Sequence, residues 1–155
     1  MIGIQRMSDV RSHPAMISRA HPIHVILAAY PIACFTGAFL TDIVYANTYE
    51  MMWANFSIWL ITVGVAMGLL AAIAGIADYL VHRNDRPRRS ASPHTIGNAL
   101  ALLLALVNAF VHSRDAYTSV VPTGLILSGI VALLILVSSW LGTALTYRPR
   151  PEGTL

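Results

Sequence analysis

The residues able to do chemistry in this chain form two groups. One contains His21, His24, Asp78, His82, His94 and Asn98; the other contains Asp42, Asn108, His112, Arg114 and Asp115. Nearly all of them lie in or beside long apolar stretches. There a bare imidazole, amide or carboxylate costs free energy, so each must find a partner or a ligand. His24 and His94 supply what a b-type haem requires, two axial imidazoles on inward faces at one depth. Asp78 or Asn98 would then hold the second nitrogen of a ligand imidazole or meet a propionate. A metal reading uses His21, His24, His82 and His94, with Asp78, as N and O ligands for zinc or another transition metal. In the plainest reading the same groups hydrogen-bond one another and fix helix ends. The second group has one histidine, so it offers no second bis-histidine haem. Asp42 with His112, or with Arg114, reads as an ion pair joining the first and third helices, or as a site for a proton or a quinone head group. No triad, phosphate loop or paired carboxylates of one active site appear.

The elements that must position these groups are membrane helices. Of 155 residues, 56% are hydrophobic and only 11% charged, and the mean hydropathy is +0.65, too apolar for a soluble domain of this size. Four stretches, about 24–46, 56–81, 94–111 and 120–147, are each near the ~20 residues needed to cross a bilayer core. A backbone in lipid must satisfy its own hydrogen bonds, which predicts helices throughout.

Each span carries a polar or small-residue stripe at helical spacing. On the third it is His94, Asn98, Ala101, Ala105, Asn108 and His112; five turns separate its two histidines by ~27 Å. On the first it is His24, Ala28, Pro31, Phe35, Ala38 and Asp42, with Pro31 removing a backbone bond near mid-membrane. Gly64, Gly68, Ala71, Gly75, Asp78 and His82 line the second, and Gly124, Ser128, Ser138 and Gly142 the fourth. Small residues let another backbone or a flat ligand approach. Four inward stripes predict an all-α integral membrane protein, an antiparallel four-helix bundle.

All ten basic residues are arginine and only Arg114 lies on the second group's side. The positive-inside rule therefore places both termini and the 82–93 loop in the cytoplasm. The domain division is a cytoplasmic segment 1–20, the four-span domain 21–147 and a cytoplasmic tail 148–155. The net charge of +3 is then a topology signal, with no nucleic-acid footprint. Trp53, Trp59, Tyr45, Tyr49 and Tyr117 suit the outer interface; Tyr79, Trp140 and Tyr147 suit the inner one. Asn55-Phe56-Ser57 has the glycosylation pattern. The lone Cys34, inside a span, excludes a disulfide framework.

HPIH at 21–24, PIACFTGAFLTDIVYA at 31–46, AAIAGIADYL at 71–80, HTIGNALALLLALVNAFVHSRDAY at 94–117 and VPTGLILSGIVALLILVSSWLG at 121–142 resemble a family of bacterial four-helix membrane proteins known only as a domain of unknown function. Its hallmarks are HPIHP…FPIA and NxxxHSRD. The resemblance implies the fold and an inner-membrane location, and points to haem binding and to association with periplasmic dehydrogenases. Val25 stands where the family usually has a second proline, and Ala144 where it has an acidic group.

The resulting expectation is an inner-membrane electron-transfer subunit with haem b between His24 and His94, linking a partner dehydrogenase or respiratory subunit to quinone. Two alternatives stand beside it. One is a non-catalytic membrane scaffold or subunit, alone or as a homo-oligomer, whose polar stripes specify helix pairing; the other is a transition-metal site protein.

Overall fold

A computed structural model describes residues 22–81, 93–114 and 120–146. They form four helices: α1 (Pro22–Thr48), α2 (Met51–Val81), α3 (Pro93–His112) and α4 (Thr123–Thr146). Among the described residues there is no strand. All four are long and apolar enough to cross a membrane. α1 packs chiefly on α2 and α3 on α4, and thinner contacts of α1 with α4 and α2 with α3 join the two hairpins. The bundle thus has a hairpin end, at the α1–α2 turn and the start of α4, and a terminal end, where α1 begins and α4 finishes.

The helix limits follow the apolar stretches with one clear difference. α2 starts at Met51, five residues before the expected 56, because the link from α1 is only Tyr49 and Glu50. Asn55 and Ser57 thus belong to a helix, where the Ser57 hydroxyl is buried; this overturns the glycosylation pattern as a loop signal. The tight turn depends on Tyr49, which sits in the left-handed region at φ 58°. Its N–H donates to the Tyr45 carbonyl at 2.8 Å, the left-handed cap that usually employs glycine. At the start of α4, Leu125 and Ile126 N–H groups donate to the carbonyls of Val120 and Pro122 at 2.7 and 3.1 Å.

The core is thin, as it must be when the outer surface meets lipid chains instead of water. Phe35, Ala101, Ala105, Val131 and Ile135 form its centre, and Tyr45, Ala54 and Val120 a second cluster at the hairpin end. Leu103, Phe110, Leu133 and Trp140 point outwards. Tyr45 differs from its expected place at an interface: it is 2% exposed, because it continues the inward stripe three residues after Asp42. Trp59, Tyr79 and Trp140 are exposed as expected, while Tyr117 and Tyr147 lie outside the described residues.

Glycines set how closely the helices approach. A Cβ built on Gly64 of α2 would stand 2.5 Å from Phe35 Cε1 and 3.0 Å from the Cys34 Cβ. The Gly64-x-x-x-Gly68 spacing therefore serves the inside of the bundle: Gly68 abuts Leu102 of α3, whose Cδ1 would be 2.9 Å from an added Cβ.

Candidate functional site

At the hairpin end the chain brings together Asp42 of α1, Asn108 and His112 of α3, and Ser128 of α4. All four are buried, Asp42 completely. The side chains close a ring of hydrogen bonds. His112 Nε2 lies 3.1 Å from Asp42 Oδ1, and Ser128 Oγ donates to Asp42 Oδ2 at 2.5 Å. Asn108 Nδ2 donates to Ser128 Oγ at 2.8 Å. His112 Nδ1 lies 3.1 Å from both the side-chain and the backbone oxygen of Asn108.

The directions of these bonds are fixed by elimination. The Asn108 backbone carbonyl can only accept, so His112 Nδ1 carries a hydrogen. Asn108 must then turn Oδ1 to His112 and its NH2 to Ser128, whose hydroxyl is left to donate to Asp42. One proton remains for the last bond, between Asp42 Oδ1 and His112 Nε2. Wherever it sits the pair is neutral overall, which suits a buried site. Next to the ring, Thr41 and Ser57 hydroxyls meet at 2.7 Å, tying α1 to α2, and Thr41 also donates to the Ala38 carbonyl at 2.9 Å.

Serine, histidine and aspartate are the residue types of a hydrolase triad, but the wiring is different. In a triad the histidine takes the proton from the serine while the carboxylate orients the histidine. Here Ser128 and His112 occupy opposite oxygens of one carboxylate, so the hydroxyl faces the carboxylate and not the imidazole. The packing gap beneath the ring, lined by Phe35, Ala38, Ile61, Ala105, Asn108, Ser128 and Val131, is too narrow for a water molecule. Of the two partners considered for Asp42 on sequence, His112 is the one it meets. Arg114 is exposed, while both Asp42 oxygens are taken inside the bundle.

At the terminal end each histidine closes its own hairpin. His24 Nδ1–H donates to the Ala71 carbonyl of α2 at 3.1 Å, and its ring fills the space over Gly75, 3.3 Å from where a Cβ would stand. His94 Nδ1–H donates to the Ser138 carbonyl of α4 at 2.8 Å, and Ser138 Oγ returns a 2.8 Å bond to the His94 carbonyl. With Nδ1 as donor, His94 Nε2 accepts from Asn98 Nδ2 at 3.0 Å. A Cβ on Gly142 would stand 2.6 Å from His94 Nδ1, so that glycine is the seat of the imidazole. Asp78 is half-buried one turn from Gly75. His21, His82 and Asp115 lie outside the described residues.

This arrangement does not fit a haem between His24 and His94. Of the small residues expected to make room for a porphyrin, Ala28, Ala71, Gly75 and Ala101, Gly75 is covered by His24 and Ala71 and Ala101 are buried, and the neighbouring Gly68, Gly142 and Gly97 are covered by Leu102, His94 and Ser138. The two imidazoles enter different seams, one between α1 and α2 and one between α3 and α4. Among the described residues no group of three or more His, Cys, Asp or Glu side chains is placed to hold a metal ion.

The sequence pattern groups Asp42, Asn108 and His112 and leaves out Ser128, Ser57 and Thr41. Ser128 is visible as an inward residue of the fourth stripe; its partner is not, because the stripe does not say which neighbour it faces. Thr41 directly precedes Asp42 and carries no signal of its own.

A family model described as "Predicted membrane protein (DUF2231)" matches residues 20–151. No curated protein and no solved structure matches the chain.

Proposed function

Because the chain belongs to the DUF2231 family of predicted membrane proteins, we propose that it acts in the bilayer as a non-catalytic four-helix scaffold or subunit whose interior polar residues hold its spans in one pairing. The observation that carries this reading is the closed ring of Asp42, His112, Asn108 and Ser128, in which the side chains face one another and, among the described residues, the gap beside them is too narrow for a water molecule. A helix in lipid gains no hydrophobic drive to choose its neighbour, so packing of small residues and interhelical hydrogen bonds must specify it. Both devices are present on every helix of the bundle.

Purified protein made with haem supplied is expected to give no stoichiometric Soret absorption and no stoichiometric metal. A full-occupancy Soret band that disappears in His24→Ala or His94→Ala would overturn the reading in favour of an electron-transfer subunit.

The arginine distribution supports a bacterial inner-membrane setting with the terminal end in the cytoplasm. In a Cys34→Ala background, a membrane-impermeant maleimide should label Tyr49→Cys, an exposed hairpin-end site, from outside intact spheroplasts. Labelling only after lysis would reverse the orientation.

A further inference from the structure

We propose that the outward face of α2 at the hairpin end is a phospholipid site, selective for a headgroup that carries a primary ammonium. Met52, Asn55, Phe56 and Trp59 recur at i, i+3, i+4 and i+7 and so share one side of the helix. All four are exposed, and together they line an open groove of about 430 Å³. Ala54, Ser57 and Ile61, on the other side, are buried in the bundle. The groove has a fixed wall. The Phe56 ring lies 6.1 Å from that of Trp53, and Trp53 packs on the cluster of Tyr45, Ala54 and Val120.

Depth in the bilayer says what covers it. The 31 residues of α2 run ~46 Å at ~1.5 Å per residue, against ~30 Å of hydrocarbon, so ~16 Å of the helix stands among headgroups. Shared between the two ends, that excess sets Met52 and Asn55 at the level of headgroups and glycerol esters, with Phe56 and Trp59 at the edge of the hydrocarbon. The side chains follow the same division. The Asn55 amide offers hydrogen bonds to an ester or a phosphate, the Trp59 indole is the kind of ring that settles at this level, and Met52 and Phe56 give apolar walls to a glycerol backbone and the first part of its chains.

Charge selects the headgroup. Between Asp42 and Asp78 the only formal charge in the sequence is that of Glu50. Glu50 is exposed, and its carbonyl accepts from the Trp53 N–H at 3.0 Å, which fixes it at the head of α2 on the water side of the groove. A primary ammonium donates to that carboxylate, whereas an anionic headgroup is repelled by it. Arg114, the described arginine at this end, belongs to α3 and does not line the groove. None of these residues belongs to the polar ring, so the site stands apart from the scaffold reading.

Tryptophan quenching tests this in phosphatidylcholine bilayers that contain a fixed small share of brominated phosphatidylethanolamine or brominated phosphatidylglycerol. With Trp53→Phe and Trp140→Phe, the emission comes from Trp59 alone. Phosphatidylethanolamine should quench it about twice as strongly as phosphatidylglycerol, the size expected of one exposed charge pair, and Glu50→Gln should remove the difference. Trp140 alone, after Trp53→Phe and Trp59→Phe, should show no preference for phosphatidylethanolamine. The native protein compared with Glu50→Gln reads the same change without any tryptophan replaced, diluted by the other two indoles. Equal quenching of Trp59 by the two lipids, a preference that survives Glu50→Gln, or a Trp59 shielded from both by a second copy of the chain would overturn the proposal. Absorption and metal content still judge the scaffold reading separately.

Discussion

Asp42→Asn and Asp42→Ala should separate sharply, although both remove the same carboxylate. An asparagine at this position can keep both bonds of the ring. Its carbonyl oxygen accepts from Ser128 in place of Oδ2, and its NH2 donates to His112 Nε2 in place of the shared proton. His112 keeps its Nδ1–H on Asn108. Alanine keeps neither bond and strands a buried imidazole nitrogen and a hydroxyl. Two bonds of ~0.6–1.7 kcal/mol each, the range for side-chain bonds inside membranes, give ~1–3 kcal/mol for Asp42→Ala. The stranded groups push that towards its upper end. Asp42→Asn should cost less than about 1 kcal/mol. Unfolding in mixed micelles, titrated with dodecyl sulfate and followed by helical circular dichroism, measures both. If asparagine destabilises as much as alanine, an amide cannot replace the carboxylate in the ring and the bonding pattern assigned to it is wrong.

Two further substitutions test the packing and the turn. Gly64→Ala forces a methyl group into Phe35 and Cys34 and should cost ~1–3 kcal/mol by overpacking. Gly37→Ala meets only the flexible tip of Leu60 at 3.3 Å and should be neutral or stabilising in the same unfolding assay; equal losses would contradict the close approach of α2 at Gly64. Tyr49, at φ 58°, should tolerate glycine with a gain of up to ~1 kcal/mol and lose stability as valine. The reverse order would exclude the left-handed turn.

The helices and their inward faces are legible in the sequence because both depend on composition and period alone. Ala101, Ala105, Asn108 and His112 are buried on one face of α3 as their spacing requires, and Phe35, Ala38 and Asp42 likewise on α1. What spacing cannot give is which helix a stripe faces. His24 and His94 share a depth, and from depth alone they look like two ligands of one group. They part because α1 nests on α2 and α3 on α4, each ring taking the nearest glycine seat. Tyr45 shows a second limit. Its residue type argues for an interface, yet its position three residues beyond Asp42 places it inside, and here position outweighs type. The early start of α2 is hidden because Glu50 and Asn55 lower the apolar signal over residues that are nonetheless helical.

The contact between Asp42 and His112 joins the two hairpins, and the ring and the scaffold reading both depend on it. A double-mutant cycle of Asp42→Ala and His112→Ala in the same micelle titration measures it with the least intervening inference. The two residues should be coupled by about 1 kcal/mol or more, the double variant being clearly less destabilised than the sum of the singles. Strict additivity would mean that the two side chains do not meet, and both conclusions would fall together.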